Sequence, residues 1–194
     1  MKKWLFALVM AFMMSCEKAT KLPIYFNSEP PVRFALINQD SLSITEQSFA
    51  HEIYIADFFF STCPGICVKM TNEMKHIQAT FKDEKRVRQL SISVDPKRDT
   101  PSRLTSYALR NEITTPKWQL ATGDYEHIFN LSKNTFHCFA LQDAIAEDEI
   151  FHDERLILVD GNGRIRGFYP IMDSLALKQL IKDTRILLAE QSSN

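Results

Sequence analysis

Apolar residues recur in short runs along the chain, and turn-forming residues separate these runs. Residues 32–37 and 42–44 are strand-like, and the polar residues 38–41 between them predict a hairpin. The run at 53–60, IYIADFFF, is almost continuously apolar, which is typical of a strand buried on both faces of a sheet. Its single charged residue, Asp57, is expected either at the end of the strand or beneath a functional site.

Further helices and strands alternate after residue 60. Apolar positions at helical spacing predict a helix over 68–81, and alternating positions predict a strand over 87–94. Thr100 followed by Pro101 predicts the start of a helix that runs to about residue 111. The remaining predicted elements are a strand at 118–121, a helix at 124–133, a hairpin of 155–159 with 165–169, and a final helix at 175–189.

This order of elements is that of an α/β domain. A β-α-β unit followed by a β-β-α unit predicts a thioredoxin-like fold, in which helices flank a central mixed sheet with an N-terminal hairpin. No internal repeat or linker divides the domain, which is expected to span residues 32–194.

The chain begins with the pattern of a secretory signal. Lys2 and Lys3 form a positively charged start, and an almost wholly apolar run follows at 4–14. This run is too short to span a bilayer as a helix, which takes about 20 residues. It fits the apolar part of a signal peptide.

The cysteine that follows this run predicts a lipid anchor. Ser15 before Cys16 resembles the bacterial lipobox, which predicts a lipoprotein signal peptide over 1–15 and attachment of lipid to Cys16. Residues 16–31 then form a tether. The protein is expected to be exported and held by its lipid on a bacterial membrane, on the periplasmic side. The alternative is an ordinary signal in which Cys16 is incidental.

Composition narrows the classes of partner. The formal net charge is -1, so no large basic surface is expected and nucleic acid is not predicted as a partner. The four cysteines are too few for a disulfide scaffold in a chain of 194 residues. Their placement is more informative, because two of them form a close pair.

Cys63 and Cys67 form this pair, in the sequence CPGIC between a buried strand and a helix. Cys63 is expected just before the helix and Cys67 about one turn into it, where four-residue spacing puts both side chains on one face. The amides and dipole of a helix start stabilise a thiolate, so the two thiols are predicted to be redox-active or to bind a metal. The alternative is a pair that only packs, for which Pro64 and Gly65 are poor choices.

The spacing of the pair bears on its chemistry. Thioredoxin-type oxidoreductases use C-x-x-C, and the extra residue here leaves room for a metal ion between the thiolates while still allowing a disulfide. Two thiolates with one imidazole suit a soft ion of low coordination number. Cu(I) fits this set best, and Cu(II) or Zn(II) could also bind.

His152 is the imidazole predicted to complete the set. It lies just before the strand at 155–159, and in the thioredoxin fold the loop before this strand faces the cysteine pair. Thioredoxin-like oxidoreductases have a cis-proline in that loop. This chain has no proline there, which favours a metal over disulfide exchange. The histidines expected at the surface are His51, His76 and His127, while His137 is left open.

Two aspartates frame a loop at the same edge of the predicted sheet. Asp95 is expected either to support the site or contact a partner, or to form a turn around Pro96. The same two roles are open to Asp99, for which capping and turn formation around Thr100 is favoured over support of the site or contact with a partner.

Several motifs, taken together, are similar to those of one known family. They are FSTCPGIC at 60–67, SISVDPKRDTP at 91–101, ATG at 121–123, and His152 ahead of LVDG at 158–161. They span most of the domain, and the second is highly specific. On these residues the chain resembles the Sco/SenC family of cytochrome c oxidase assembly proteins. Gly65 and Val68 stand where the family often has an acidic residue and a proline, but neither is a ligand.

The resemblance implies a thioredoxin fold and a copper site formed by Cys63, Cys67 and His152. It implies a metallochaperone for the copper centre of cytochrome c oxidase, whose partner is the copper-site subunit of the oxidase or another copper protein. Such a protein is not, strictly, an enzyme. One alternative is a thiol-disulfide oxidoreductase that keeps the recipient's cysteines reduced, and another is a redox or copper sensor. Cys138 belongs to none of the motifs and is expected in the core.

Overall fold

The predicted strands assemble into one mixed sheet. The computed structural model describes residues 21–27, 29–138 and 153–192, and within these ranges the sheet has seven strands. They are β1 (Ala35–Asn38), β2 (Ser43–Thr45), β3 (Ile53–Phe59), β4 (Val87–Ser93), β5 (Trp118–Thr122), β6 (Arg155–Val159) and β7 (Ile165–Pro170). Their order across the sheet is β2-β1-β5-β4-β3-β6-β7.

Both predicted hairpins are present. β1 pairs with β2 and β6 pairs with β7, each in antiparallel fashion, and β1 joins the sheet through β5. At the centre, β3 is parallel to β4 on one side and antiparallel to β6 on the other. This is the mixed sheet of the predicted thioredoxin-like fold.

Helices occur where the apolar periodicity predicts them. The α-helices among the described residues are α1 (Ile66–Thr80), α2 (Pro101–Arg110), α3 (Tyr125–Asn130) and α4 (Ser174–Ser192), and a 3-10 helix spans Glu46–Phe49. Thr100 caps α2 as predicted, because its Oγ1 accepts from the Arg103 N–H at 3.4 Å. The helix predicted over 124–133 is α-helical only as far as Asn130 and continues as a π-helical turn over Leu131–Thr135.

Apolar side chains form two clusters, one on each face of the sheet. Along β3, Ile55 and Phe59 face the side covered by α1, α2 and α4. Ala56 and Phe58 belong to the cluster on the opposite face. All seven residues of β3 are buried, as its apolar run predicts. Cys138 is 4% exposed in the second cluster, which confirms the expectation of a core cysteine.

A buried arginine attaches the segment before β1 to the domain. Arg166 of β7 donates to the carbonyls of Leu22 and Pro23 at 2.8 and 2.9 Å. It also donates to the carboxylates of Asp160 and Glu190 at 2.8 and 2.9 Å. Part of the segment predicted as a tether therefore packs on the domain.

The predicted signal peptide and lipid anchor lie outside the described residues, which begin at residue 21. Cys16 is among those not described. Within the described part of the chain, no helix is both long and apolar enough to cross a membrane.

Candidate metal centre

The two cysteines of the CPGIC sequence meet where β3 leads into α1. β3 ends at Phe59 and α1 begins at Ile66, so Cys63 lies in the connecting loop and Cys67 in the first helical turn. Cys63 packs against the core cluster that includes Cys67, and the two thiols interact. Cys67 is 1% exposed, whereas Cys63 is only partly buried. The core therefore encloses one sulfur, and the other borders solvent.

Burial governs the protonation of the inner thiol. It raises the pKa of Cys67 far above the ordinary value, and the nearby Cys63 and Asp57 raise it further, while a backbone hydrogen bond with Phe60 lowers it. For Cys67, burial thus outweighs the thiolate stabilisation expected from a helix start. In the reduced protein this sulfur holds its proton at neutral pH. A metal ion that binds it must displace that proton.

A buried acid lies beneath the cysteine pair. Asp57 is in the middle of β3, 2% exposed, on the strand face that packs against α1. The Ser91 hydroxyl donates to its carboxyl group, and the indole N–H of Trp118 donates to Ser91 Oγ at 2.9 Å. Burial raises the pKa of Asp57 to about 7, although the bond from Ser91 lowers it. Of the two places predicted for Asp57, the structure shows the one beneath the site.

The carboxylate of Asp99 holds the loop that precedes Cys63. It is fully buried and accepts from the Ser61 N–H at 2.8 Å, from the Ser61 hydroxyl, and from the Ser93 hydroxyl at 2.6 Å. The prediction that Asp99 acts as a helix cap is therefore wrong for its side chain, whereas its backbone N–H does form the predicted turn, to the carbonyl of Asp95 at 2.8 Å. Thr100 caps α2 instead. Local sequence patterns do not reveal this contact, because Ser61 and Asp99 are 38 positions apart.

Asp95 begins the loop that carries Asp99. Its carboxylate is largely buried and pairs with the exposed Arg98 at 3.2 Å. Its backbone carbonyl accepts from the Asp99 N–H at 2.8 Å. These contacts fit the predicted turn, and the role of Asp95 in supporting the site or contacting a partner stays a prediction.

His152 lies outside the described residues. β6, which begins three residues later at Arg155, shows at which end of the sheet this part of the chain joins the domain. β6 is antiparallel to β3, with Ile157 opposite Ala56 and Val159 near the start of β3. The start of β6 therefore lies at the end of β3 that leads to Cys63. Among the residues that the structure describes, no three Cys, His, Asp or Glu side chains come together to hold a metal ion.

Arg155 holds the residue that follows His152. Its Nε donates to the Asp153 carboxylate at 2.8 Å, and its Nη2 donates to the carbonyl of His137 at 3.0 Å. Its guanidinium also lies over the ring of Phe168, 4.8 Å from the centroid. Asp153 is thus fixed at the same sheet edge as the cysteine pair.

The histidines outside the predicted set are engaged elsewhere. His51, His76 and His127 are exposed, as predicted. His137, which the sequence left open, stacks on Phe26 with ring centroids 3.5 Å apart. It therefore helps to hold the segment before β1.

Comparison with known proteins assigns the family. The SCO1/SenC family model matches residues 26–188. The chain belongs to the SCO1/SenC family. Another SCO1/SenC protein, the SCO1 protein homolog of Bacillus subtilis (strain 168), is 29% identical over 187 residues, which cover 92% of each chain.

Solved structures of SCO1/SenC proteins share the fold. A SCO1/SenC family lipoprotein from Bacillus anthracis has a TM-score of 0.75 at 28% identity, over 82% of this chain and 95% of its own. BsSco, a Sco-family cytochrome c oxidase assembly protein with a disulfide switch, has a TM-score of 0.71 at 28% identity, over 84% and 96%. Copper-bound ScoI from Bradyrhizobium japonicum is similar in fold, with a TM-score of 0.64 at 23% identity over 79% and 99%. The thioredoxin-like fold predicted from the sequence is confirmed.

Proposed function

We propose that this SCO1/SenC protein is a metallochaperone that takes up one copper ion with Cys63, Cys67 and His152 and passes it on during assembly of cytochrome c oxidase. The observation that carries the proposal is the contact between two thiols at the start of α1, one enclosed and one bordering solvent. Two thiolates and an imidazole are a donor set that suits a soft ion, so Cu(I) fits best and Cu(II) can also bind.

The unequal burial of the two thiols favours exchange of the ion from one side. Cys67 is enclosed by the core and keeps its bond to the ion, whereas Cys63 is the ligand that a thiol of the recipient can replace. Loading releases the proton that burial holds on Cys67. Copper uptake is therefore expected to strengthen as the pH rises.

The place of Asp153 supports His152 as the third ligand. Asp153 follows His152 directly in the chain, and Arg155 fixes it at the sheet edge where β3 leads to Cys63. Neutral imidazole is a common ligand for copper.

The family and the N-terminal sequence support the proposed recipient and the proposed membrane attachment. BsSco belongs to a family of cytochrome c oxidase assembly proteins, which supports the copper-site subunit of the oxidase, or another copper protein, as recipient. The likeness to a Bacillus anthracis lipoprotein supports lipid attachment at Cys16, export and a periplasmic location. The recipient would meet Cys63 at the membrane surface.

Thiol-disulfide exchange is the second candidate, and the contact between the two thiols also favours it. In this reaction Cys63 and Cys67 give two electrons and two protons to a disulfide of the recipient. The recipient then has two thiols, and a disulfide joins Cys63 to Cys67. The disulfide switch of BsSco supports this alternative.

Copper stoichiometry tests the proposal. The full chain in detergent micelles is reduced, loaded anaerobically with Cu(I) against a chelator, and compared with Cys63→Ser/Cys67→Ser, His152→Ala and His127→Ala variants. His127 is an exposed histidine outside the predicted set and serves as the matched control.

One tightly held ion is expected in the unaltered chain and in His127→Ala. The cysteine variant should lose it, and His152→Ala should bind it at least about tenfold more weakly. Weak binding that does not depend on His152, with ready cycling of the cysteine pair between dithiol and disulfide, would instead identify an oxidoreductase.

A further inference from the structure

The geometry points to Asp99 as a positioning residue for the cysteine pair, which holds the loop before α1 so that Cys63 stays against Cys67. This inference goes beyond the ligands themselves, and it rests on the proposed function only for the part of its test that uses copper. The bonds from Ser61 to Asp99 carry it.

The loop that carries Cys63 is held locally by the packing of Phe60 and Cys63 on the core and by the backbone bond of Phe60 to Cys67, but much of it is exposed. Thr62, Pro64 and Gly65 are exposed, and Cys63 is partly exposed. Gly65 is the N-cap of α1 and makes no side-chain cap bond. The backbone bond from the Cys63 N–H to the Phe60 carbonyl, at 3.2 Å, is a local turn contact. An anchor outside the loop would add to these local contacts and fix the path of the exposed part.

Asp99 supplies that anchor from the loop between β4 and α2. Its two carboxylate oxygens accept the backbone N–H and the hydroxyl of Ser61, two residues before Cys63. One of them also accepts the Ser93 hydroxyl at 2.6 Å, and Ser93 Oγ in turn accepts the Asp95 N–H at 3.1 Å. The carboxylate thus joins the end of β4 to the loop that follows β3.

Arg103 closes the same network on the solvent side. Its Nε donates to Ser61 Oγ at 2.9 Å and lies 3.7 Å from Asp99 Oδ1. Every group that faces the carboxylate of Asp99 in these contacts is a donor. Replacing one oxygen by an amide nitrogen therefore sets two donors against each other, because an amide N–H₂ cannot accept a hydrogen bond.

By holding the loop, Asp99 is expected to set the effective concentration of the Cys63 thiol at the Cys67 thiol. Two groups held in place react as if at a high local concentration, and a looser loop lowers that concentration. A looser loop is expected to disfavour the Cys63–Cys67 disulfide and to weaken a metal bound by both sulfurs. A purely structural aspartate would lower the stability of the fold without this effect.

The test compares Asp99→Asn with Asp160→Asn in the full chain in detergent micelles. Asp160 is also a buried carboxylate that accepts backbone N–H groups, from Asn162 and Arg164 at 3.0 Å. It follows β6, whose last residue pairs with Tyr54 near the start of β3, so it lies at the end of the sheet remote from Cys63. Ser61→Ala is the third variant, since it removes only the hydroxyl bond.

The main readout is the equilibrium between the Cys63–Cys67 dithiol and glutathione disulfide, measured without copper by alkylation and mass analysis. The pair gives two electrons and two protons to glutathione disulfide, which becomes two molecules of glutathione. Urea unfolding of each variant reports the stability of the fold. Cu(I) affinity is measured separately against a chelator.

Asp99→Asn is expected to lower the equilibrium constant for oxidation of the cysteine pair by glutathione disulfide at least about tenfold. Asp160→Asn should change this constant less than about twofold, even if urea unfolds it as easily as it unfolds Asp99→Asn. A constant in Asp99→Asn within about twofold of the unaltered chain would overturn the inference, as would equal shifts in both variants. If Asp99→Asn does not fold, Ser61→Ala decides, with a fall supporting the inference and no change overturning it. If the thiol equilibrium shifts but no form binds copper, the positioning role stands and the proposed function fails.

Discussion

The hydroxyl of Ser91 donates a hydrogen bond to the buried carboxyl group of Asp57, between adjacent parallel strands beneath the cysteine pair. The bond satisfies one oxygen of an acid that is 2% exposed. It does not offset burial, which raises the pKa of Asp57 from 3.8 to about 7. The carboxyl group therefore makes the stability of the fold depend on pH.

Asp57 is expected to destabilise the fold as the pH rises from about 4 to about 7. In this window the folded protein holds a proton that the unfolded chain has released, so the free energy of unfolding falls with pH. The difference between 3.8 and about 7 in pKa corresponds to about 4 kcal/mol of unfolding free energy. This contribution to stability is fully present below about pH 4 and lost above about pH 7. Urea unfolding of the reduced, metal-free protein at pH 4 and pH 8 measures it.

Asp57→Asn is the matched control for this effect, because asparagine has nearly the same shape and still accepts a bond from Ser91. The variant should lack the decline, so its stability relative to the unaltered chain should improve between pH 4 and pH 8. Parallel pH profiles for the two proteins would contradict the assignment to Asp57.

Arg166→Met is expected to cost about 3–5 kcal/mol of unfolding free energy. The substitution leaves the carboxylates of Asp160 and Glu190 without their buried partner, and it frees two backbone carbonyls. Arg86→Met is the control, since Arg86 is 43% exposed beside Glu84 and its loss should destabilise the fold much less. Equal losses in the two variants, measured by urea unfolding, would show that burial of Arg166 does not matter.

Gly161→Ala is expected to destabilise the fold by about 1–3 kcal/mol. A Cβ atom there would lie 2.9 Å from the backbone carbon of His51, which cannot turn away. At Gly123 the nearest atom would be the flexible end of Leu36, at 3.2 Å, so Gly123→Ala should cost less. Thermal unfolding of both variants checks the order, and a larger loss in Gly123→Ala would contradict it.

Cys138 is expected to stay unreactive in the native protein. It is 4% exposed, and burial raises the pKa of its thiol well above the ordinary value, so little thiolate is present to react. Brief alkylation with iodoacetamide followed by peptide mapping should label Cys63 first and Cys138 only after unfolding. Cys138→Ala should leave the copper stoichiometry unchanged, and loss of copper in this variant would bring Cys138 into the site.

Much of the fold could be predicted because the patterns that specify its elements are local. Alternation and helical spacing each span a few residues, and they predicted β3, β4, both hairpins and α1 to α4 to within a few positions. The predicted helix over 124–133 was too long as an α-helix, because a π-helical turn replaces its last part. Hydrophobic spacing alone does not distinguish these two kinds of helix.

The sequence by itself determined that Cys63 and Cys67 lie at the junction of a strand and a helix, how they are spaced, and which family motifs surround them. Only the tertiary structure decided that Cys67 is enclosed, that Asp57 lies beneath the pair, and that Asp99 holds Ser61. These features depend on contacts across the sheet, such as the 34 positions between Asp57 and Ser91 and the 38 between Ser61 and Asp99. Local patterns carry no information about such contacts, because burial and hydrogen-bond partners arise only when distant segments pack together.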